Sequence, residues 1–221
     1  MTAFSALRDS WYFFSRHLPA IALLSLPLIT LEALLEAFIE AHTAKAEPSL
    51  YSLLANLLFY PLYSAALILF LDARSRGEHP HTLALWSGAL RLWPRFALLT
   101  GLNVLLFMLG FAAYVLPGVW LMVKLGFSEY LLTLRGHSPL TAIRDSFLLS
   151  RGHFWTIALC IALALAPVWA LDWLFGLWLG DDPAPLLAVL TTVISGFFQL
   201  FSGVVLFRLF MQLERPPAPP H

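Results

Sequence analysis

The polar and apolar positions of this chain alternate in long blocks. Six apolar runs, at 18–41, 51–71, 96–115, 119–134, 154–180 and 186–210, are separated by short polar segments. A helix of about 20 apolar residues crosses a hydrocarbon core of roughly 30 Å, so each run is predicted to be a transmembrane helix. The separators are 42–50, with Pro48; 72–81, DARSRGEHPH; Leu116-Pro117-Gly118, a tight-turn signal; and Gly180-Asp181-Asp182-Pro183, another. Pro19, Pro27, Pro61 and Pro167 lie inside the runs. Neighbouring helices in a bundle accommodate the kinks they cause.

A second pattern precedes alternate spans. In 2–17, Phe4, Leu7, Trp11 and Phe14 fall on one helical face, Arg8, Asp9, Ser15 and Arg16 are polar, and Thr2 is a candidate N-cap. Residues 137–153 read the same way, with Ser138 as N-cap, Pro139 at the first helical position and a turn at Gly152. Residues 82–95 are a weaker case, interrupted by Gly88 and Pro94. Aromatic rings beside arginines suit a helix lying in the membrane interface.

These stretches are related in sequence. Ala6, Arg8, Asp9, Ser10, His17, Ile21, Ala22 and Leu23 recur without a gap as Ala142, Arg144, Asp145, Ser146, His153, Ile157, Ala158 and Leu159. A fainter middle copy puts Ala84, Leu85, Gly88, Arg95 and Phe96 in register with Ala142, Ile143, Ser146, His153 and Phe154. The expected fold is therefore an all-α membrane protein. Its six transmembrane helices form three hairpins, each preceded by a cytoplasmic-face amphipathic helix, with repeats at about 1–74, 79–135 and 137–214. The whole of 1–214 is one membrane domain, and 215–221 is a disordered Pro-rich tail.

Composition agrees. The 221 residues are 60% hydrophobic and 12% charged, against about 25% charged in soluble domains. Thirteen basic residues balance thirteen acidic ones, which leaves no basic field for nucleic acid. Ala44-Lys45-Ala46 has the form of a signal-peptide cleavage site, but Glu32, Glu36 and Glu40 separate it from the first apolar run, so that helix is expected to be retained. Eleven of the basic residues are arginines, and all of them fall in the N-terminal, 72–95, 135–153 and C-terminal segments. The positive-inside rule places those segments, with both termini, in the cytoplasm.

Ionisable residues inside spans are the default candidates for function, because burying them costs several kcal/mol unless they are paired. Counting about 1.5 Å per residue sets Glu32, Glu36, Asn56, Lys124 and Asp172 at similar depth in the outer half. They form a predicted polar layer in which Lys124 is the single cation. Asn103, Glu129 and Gln199 form a second layer nearer the inner face. Two uses stand open: a pathway or pocket for a polar or amphiphilic ligand, or interhelical hydrogen bonding. Arg8, Arg144 and Arg151 are candidate contacts for lipid headgroups, or simple anchors of the hairpins.

Other chemistry finds no motif. The single cysteine, Cys160, lies in an apolar run, and His79 and His81 flank Pro80 rather than forming a helical pair. There is no metal-binding pattern, nucleophile elbow or phosphate loop, so no catalytic residue, metal or cofactor is expected. Ser195-Gly196 and Ser202-Gly203 read as sites of close helix packing.

The segment LPGVWLMVKLGFSEYLLTLRGHSPLTAIRDSFLLSRGHFW, followed by VLFRLFMQLE, resembles the YciC-like family of bacterial inner-membrane proteins. More loosely, it is similar to the membrane domain fused to some glycerophosphodiester phosphodiesterases. Pro117-Gly118, the stretch from Gly136 to Ser146, and Arg208 carry the likeness. It implies a multi-pass protein of the bacterial cytoplasmic membrane and supplies no catalytic residue. The phosphodiesterase barrel, of about 250 residues, has no room here. The expected role is non-enzymatic support of envelope or lipid homeostasis, with membrane lipids and a second membrane protein or second copy as partners. A transporter or channel for a small polar or amphiphilic solute is the alternative, and a membrane-embedded enzyme ranks third.

Overall fold

A computed structural model describes residues 3–42, 50–179 and 184–214, without the side chains of 3–6, 40 and 185. Thr2, the segments 43–49 and 180–183, and the tail with Arg215 lie outside the described residues, as does the Glu40 side chain. Among the described residues the chain is all-helical: α1 (Ala3–His42), α2 (Leu50–Ser75), α3 (Thr82–Ala113), α4 (Val115–Leu125), α5 (Ser128–Arg135), α6 (Pro139–Leu149), α7 (Phe154–Leu179) and α8 (Pro185–Leu213). Taking α4 and α5 together, six stretches are long and apolar enough to cross a membrane. On α7, Trp155 and Trp178 are 82% and 85% exposed. They stand about 35 Å apart along the axis, the spacing of two interfacial aromatic belts.

The separate amphipathic helices expected before spans one and three are not separate. Residues 3–42 and 82–113 are continuous helices. Only α6 is divided from its span, by a turn in which Gly152 has φ +79°. In the alignment expected from sequence, Arg16 and Pro94 stand opposite Gly152. The proline ring holds φ near −65° and arginine disfavours positive φ, so the helix runs on at both positions. The other details of the third copy are as expected. Ser138 Oγ accepts the Thr141 N–H, and Pro139 opens α6.

Two further boundaries differ from expectation. The hairpin between α3 and α4 turns at Tyr114, in extended backbone, and Pro117 and Gly118 sit within the first turns of α4. A Cβ at Gly118 would lie 2.5 Å from the Phe111 ring, so glycine is needed for the close crossing of these two helices. The fourth span is also broken, at Gly126–Phe127. Ser146 of α6 repairs the break: its hydroxyl donates to the Lys124 carbonyl (2.6 Å) and accepts the Phe127 N–H (3.1 Å). Ser128 Oγ donates to the Leu125 carbonyl (2.7 Å) and accepts from Asn103 Nδ2 (3.1 Å).

The helices pack in a ring. α1 lies between α2 and α8, α3 between α2 and α4, and α7 packs on α8 and also touches α1 and α4, while α5 packs against α2, α3 and α6. The tightest core is in the arginine-rich half, where Phe14, Phe96, Phe127 and Phe210 are almost fully buried. Phe127 and Tyr130 pack on Phe210, and the Tyr130 hydroxyl donates to the Gly203 carbonyl (2.8 Å). Glu32, Glu36 and Asp172 lie away from this core, around a cavity between α1, α2, α7 and α8.

Candidate functional site: a polar cleft inside the bundle

Glu32 and Glu36 lie one turn apart on α1. They face a cavity of about 440 Å³ that is also lined by Asn56 of α2, Asp172 of α7 and Ser195 and Gln199 of α8. Asn56 Nδ2 donates to Glu32 (3.0 Å), and Ser195 donates to Asp172. A second cavity of about 360 Å³ lies at the centre of the bundle, with Glu129 on its wall. Tyr60 Oη donates to both Glu129 carboxylate oxygens (2.9 and 3.1 Å), and Ser64 Oγ donates to one of them (3.1 Å). Asn56, Tyr63, Gly196 and Gln199 line both cavities, so the two form one cleft.

Asn103 and Thr100 add unmet polar capacity. They are 6% and 5% exposed, both line the central cavity, and neither Asn103 Oδ1 nor Thr100 Oγ1 has a hydrogen-bond partner. Buried acceptors without partners are uncommon in native proteins. Among the described residues, no lysine, arginine or histidine lines either cavity. The cleft therefore presents carboxylates and neutral oxygens, which suits a positively charged or hydrogen-bond-donating solute.

Most of the predicted site residues meet here. Glu32, Glu36, Asn56 and Asp172 of the first layer share the end cavity; Asn103, Glu129 and Gln199 of the second share the central one. Lys124 is the exception. It is 9% exposed, lines neither cavity, and has its Nζ 6.0 Å from the centre of the Trp120 ring. No carboxylate among the described residues comes within ion-pair distance of it. Depth counting gives height along a helix but not direction around it. Lys124 ends α4 and Glu129 opens α5, on opposite sides of the break at Gly126–Phe127, so the direction of one does not follow from that of the other by counting. The effects of Lys124→Ala and Asp172→Ala on unfolding should accordingly add, to within about 0.5 kcal/mol. A coupling above about 1 kcal/mol in the double variant would show a pair that this geometry lacks.

Arg8, Arg144 and Arg151 are exposed, and Arg8 makes only a loose contact with Asp9 (3.9 Å). Among the cleft residues that the sequence reading does not single out are Tyr60, Tyr63, Ser64 and Thr100. A signal for the α2 residues was present. Asn56, Tyr60, Tyr63 and Ser64 follow at i, i+4, i+7 and i+8, one face of an otherwise apolar helix. On α8, Thr192, Ser195, Gln199 and Ser202 make a similar stripe.

Fold and cleft together define a multi-pass, all-α membrane bundle with a polar interior. The chain belongs to an uncharacterised protein family, UPF0259, which it matches over residues 44–212. No curated protein and no solved structure matches it.

Proposed function

We propose that this is a non-enzymatic membrane protein whose cleft binds and passes a small polar, preferentially cationic, solute. The observation that carries this reading is that the two cavities adjoin at Asn56, Tyr63, Gly196 and Gln199, with Glu32 and Asp172 on the wall of one and Glu129 on the wall of the other. A carboxylate inside a membrane bundle needs a counter-charge or a proton. The described walls offer Glu129 only neutral donors, Tyr60 and Ser64, so an incoming cation fills that role. Leu71 and Leu206 line the central cavity, and the buried Phe207 and Phe210 follow on α8.

The setting in this reading is the bacterial cytoplasmic membrane, with the arginine-rich end and both termini in the cytoplasm, supported by the arginine distribution and the YciC-like resemblance. The three-part repeat has support from burial: Ser10 and Ser146 are fully buried, as are Ile21, Leu99 and Ile157 at another equivalent position. Support of envelope or lipid homeostasis is the second reading, favoured by the exposed tryptophans of α7 and by membrane lipids as their natural partners.

Thiol labelling tests the cleft. Cys160 is buried and is the only cysteine, so Cys160→Ser gives a clean background. Gln199→Cys in that background should react with methanethiosulfonate reagents, the cationic one about tenfold faster than the anionic one, given carboxylates on the same wall. Ile157→Cys, fully buried, is the unreactive control. Failure of Gln199→Cys to react in folded protein means that the cleft is dry and the reading is wrong.

A further inference from the structure

At the arginine-rich end, α1, α2 and α8 surround a hollow of about 260 Å³ that shares no lining residue with the cleft. Arg16 and His17 reach it from α1, Arg74 from α2, His79 from the loop after α2, and Arg208 from α8. Among the described residues no carboxylate lines it. Of the acids nearby in the chain, Asp72 and Glu78 pair with Arg76 and Glu214 with Arg135, while the exposed Asp9 lies 3.9 Å from Arg8 and lines a separate hollow with Arg8, Tyr12 and Arg208.

The three guanidiniums make only neutral contacts. Arg16 donates to the Tyr12 hydroxyl (3.4 Å), Arg74 hydrogen-bonds the His79 ring and lies 5.5 Å from the centre of the Phe70 ring, and Arg208 lies 5.4 Å from that of Phe13. Arg74 Nε is buried without an acceptor. Three permanent positive charges brought together by three helices repel one another unless an anion joins them. An oxyanion with several acceptor oxygens fits planar guanidinium donors better than a single carboxylate does.

We propose that this hollow binds a phosphate group. A neighbouring hollow of about 320 Å³ shares Phe13, Arg74 and Arg208 and is walled by Leu71, Val204, Phe207 and Met211. Apolar walls leading away from the arginines suit the hydrocarbon part of a phospholipid, so a lipid headgroup and free phosphate are the two sources of the same chemistry. The arginine hollow shares no lining residue with the cleft, whereas the apolar hollow meets the central cavity at Leu71; a test that reads the arginines therefore stands or falls separately from the cleft.

The test uses the full chain in detergent with three probes: phosphatidylglycerol, diacylglycerol and inorganic phosphate, with lipid retention read by native mass spectrometry and phosphate binding by calorimetry. Arg16→Gln, Arg74→Gln and Arg208→Gln are each expected to weaken binding about fivefold, the worth of one surface arginine toward an anionic headgroup. Arg144→Gln, an exposed α6 position, should leave it unchanged. Retention of phosphatidylglycerol but not diacylglycerol, lost in the three variants, assigns the site to a lipid headgroup; binding of inorganic phosphate with the same dependence assigns it to free phosphate. Should Arg74→Gln fail to fold, the exposed Arg16 still reports. Binding of neither phosphate-bearing probe, or binding indifferent to all three arginines, overturns the proposal.

Discussion

Ser146→Ala is expected to destabilise the bundle by about 2–4 kcal/mol, while Ser10→Ala at the equivalent repeat position costs less than about 1 kcal/mol. Both serines are fully buried. The difference lies in what each hydroxyl touches. Ser146 Oγ serves two backbone groups at the break in the fourth span, the Lys124 carbonyl and the Phe127 N–H. Its loss leaves a donor and an acceptor buried without partners, each at about 1–3 kcal/mol. Ser10 Oγ has no partner to lose. Unfolding of both variants in mixed micelles, with Ser146→Thr retaining the hydroxyl, measures the contrast. Equal losses at Ser10 and Ser146 would mean that the hydroxyl of Ser146 is not what holds α6 against the broken span.

Glu129 is expected to give the largest effect on the cleft. Glu129→Leu leaves the Tyr60 and Ser64 hydroxyls facing an apolar side chain, at a cost of about 1–3 kcal/mol in stability. Glu129→Gln keeps an acceptor for them and should fold within about 1 kcal/mol of the parent, on the same accounting. Its effect is on charge. In the Gln199→Cys background it should cut the preference for a cationic over an anionic thiol reagent about threefold, the remaining carboxylates of the cleft keeping the rest. An unchanged preference in Glu129→Gln would place the governing charge elsewhere, and the central cavity would lose its part in the proposed pathway.

Much of the fold is legible in the chain because a bilayer imposes a length rule. A span needs about 20 apolar residues, with every backbone group bonded within it, so the six spans stand out in hydropathy alone. Capping is similarly local: Ser138 and Pro139 mark the start of α6 from sequence, and Gly152 marks its separation from α7. The cleft was partly legible. Glu32, Glu36, Asn56 and Asp172, set in one layer by counting, line one cavity, because polar side chains in spans avoid lipid and turn inward. The α2 stripe from Asn56 to Ser64 was readable by the same logic.

Direction around the helix axis was not readable, and Lys124 shows why. Counting sets it at the depth of the carboxylates, but its Nζ lies 6.0 Å from the centre of the Trp120 ring and it lines neither cavity. Nor does sequence similarity tell whether two equivalent serines do the same work, since the partners of Ser146 come from a helix break more than fifteen residues away in the chain. The convergence of Arg16, Arg74 and Arg208 depends on how three helices distant in the chain meet. The amino-acid sequence by itself thus determined the number of spans, the helix caps and which side chains avoid lipid, because these follow from local periodicity and the thickness of the membrane. Only the tertiary structure decided which polar groups face one another, because that depends on the rotation and crossing of helices set by packing along their whole length.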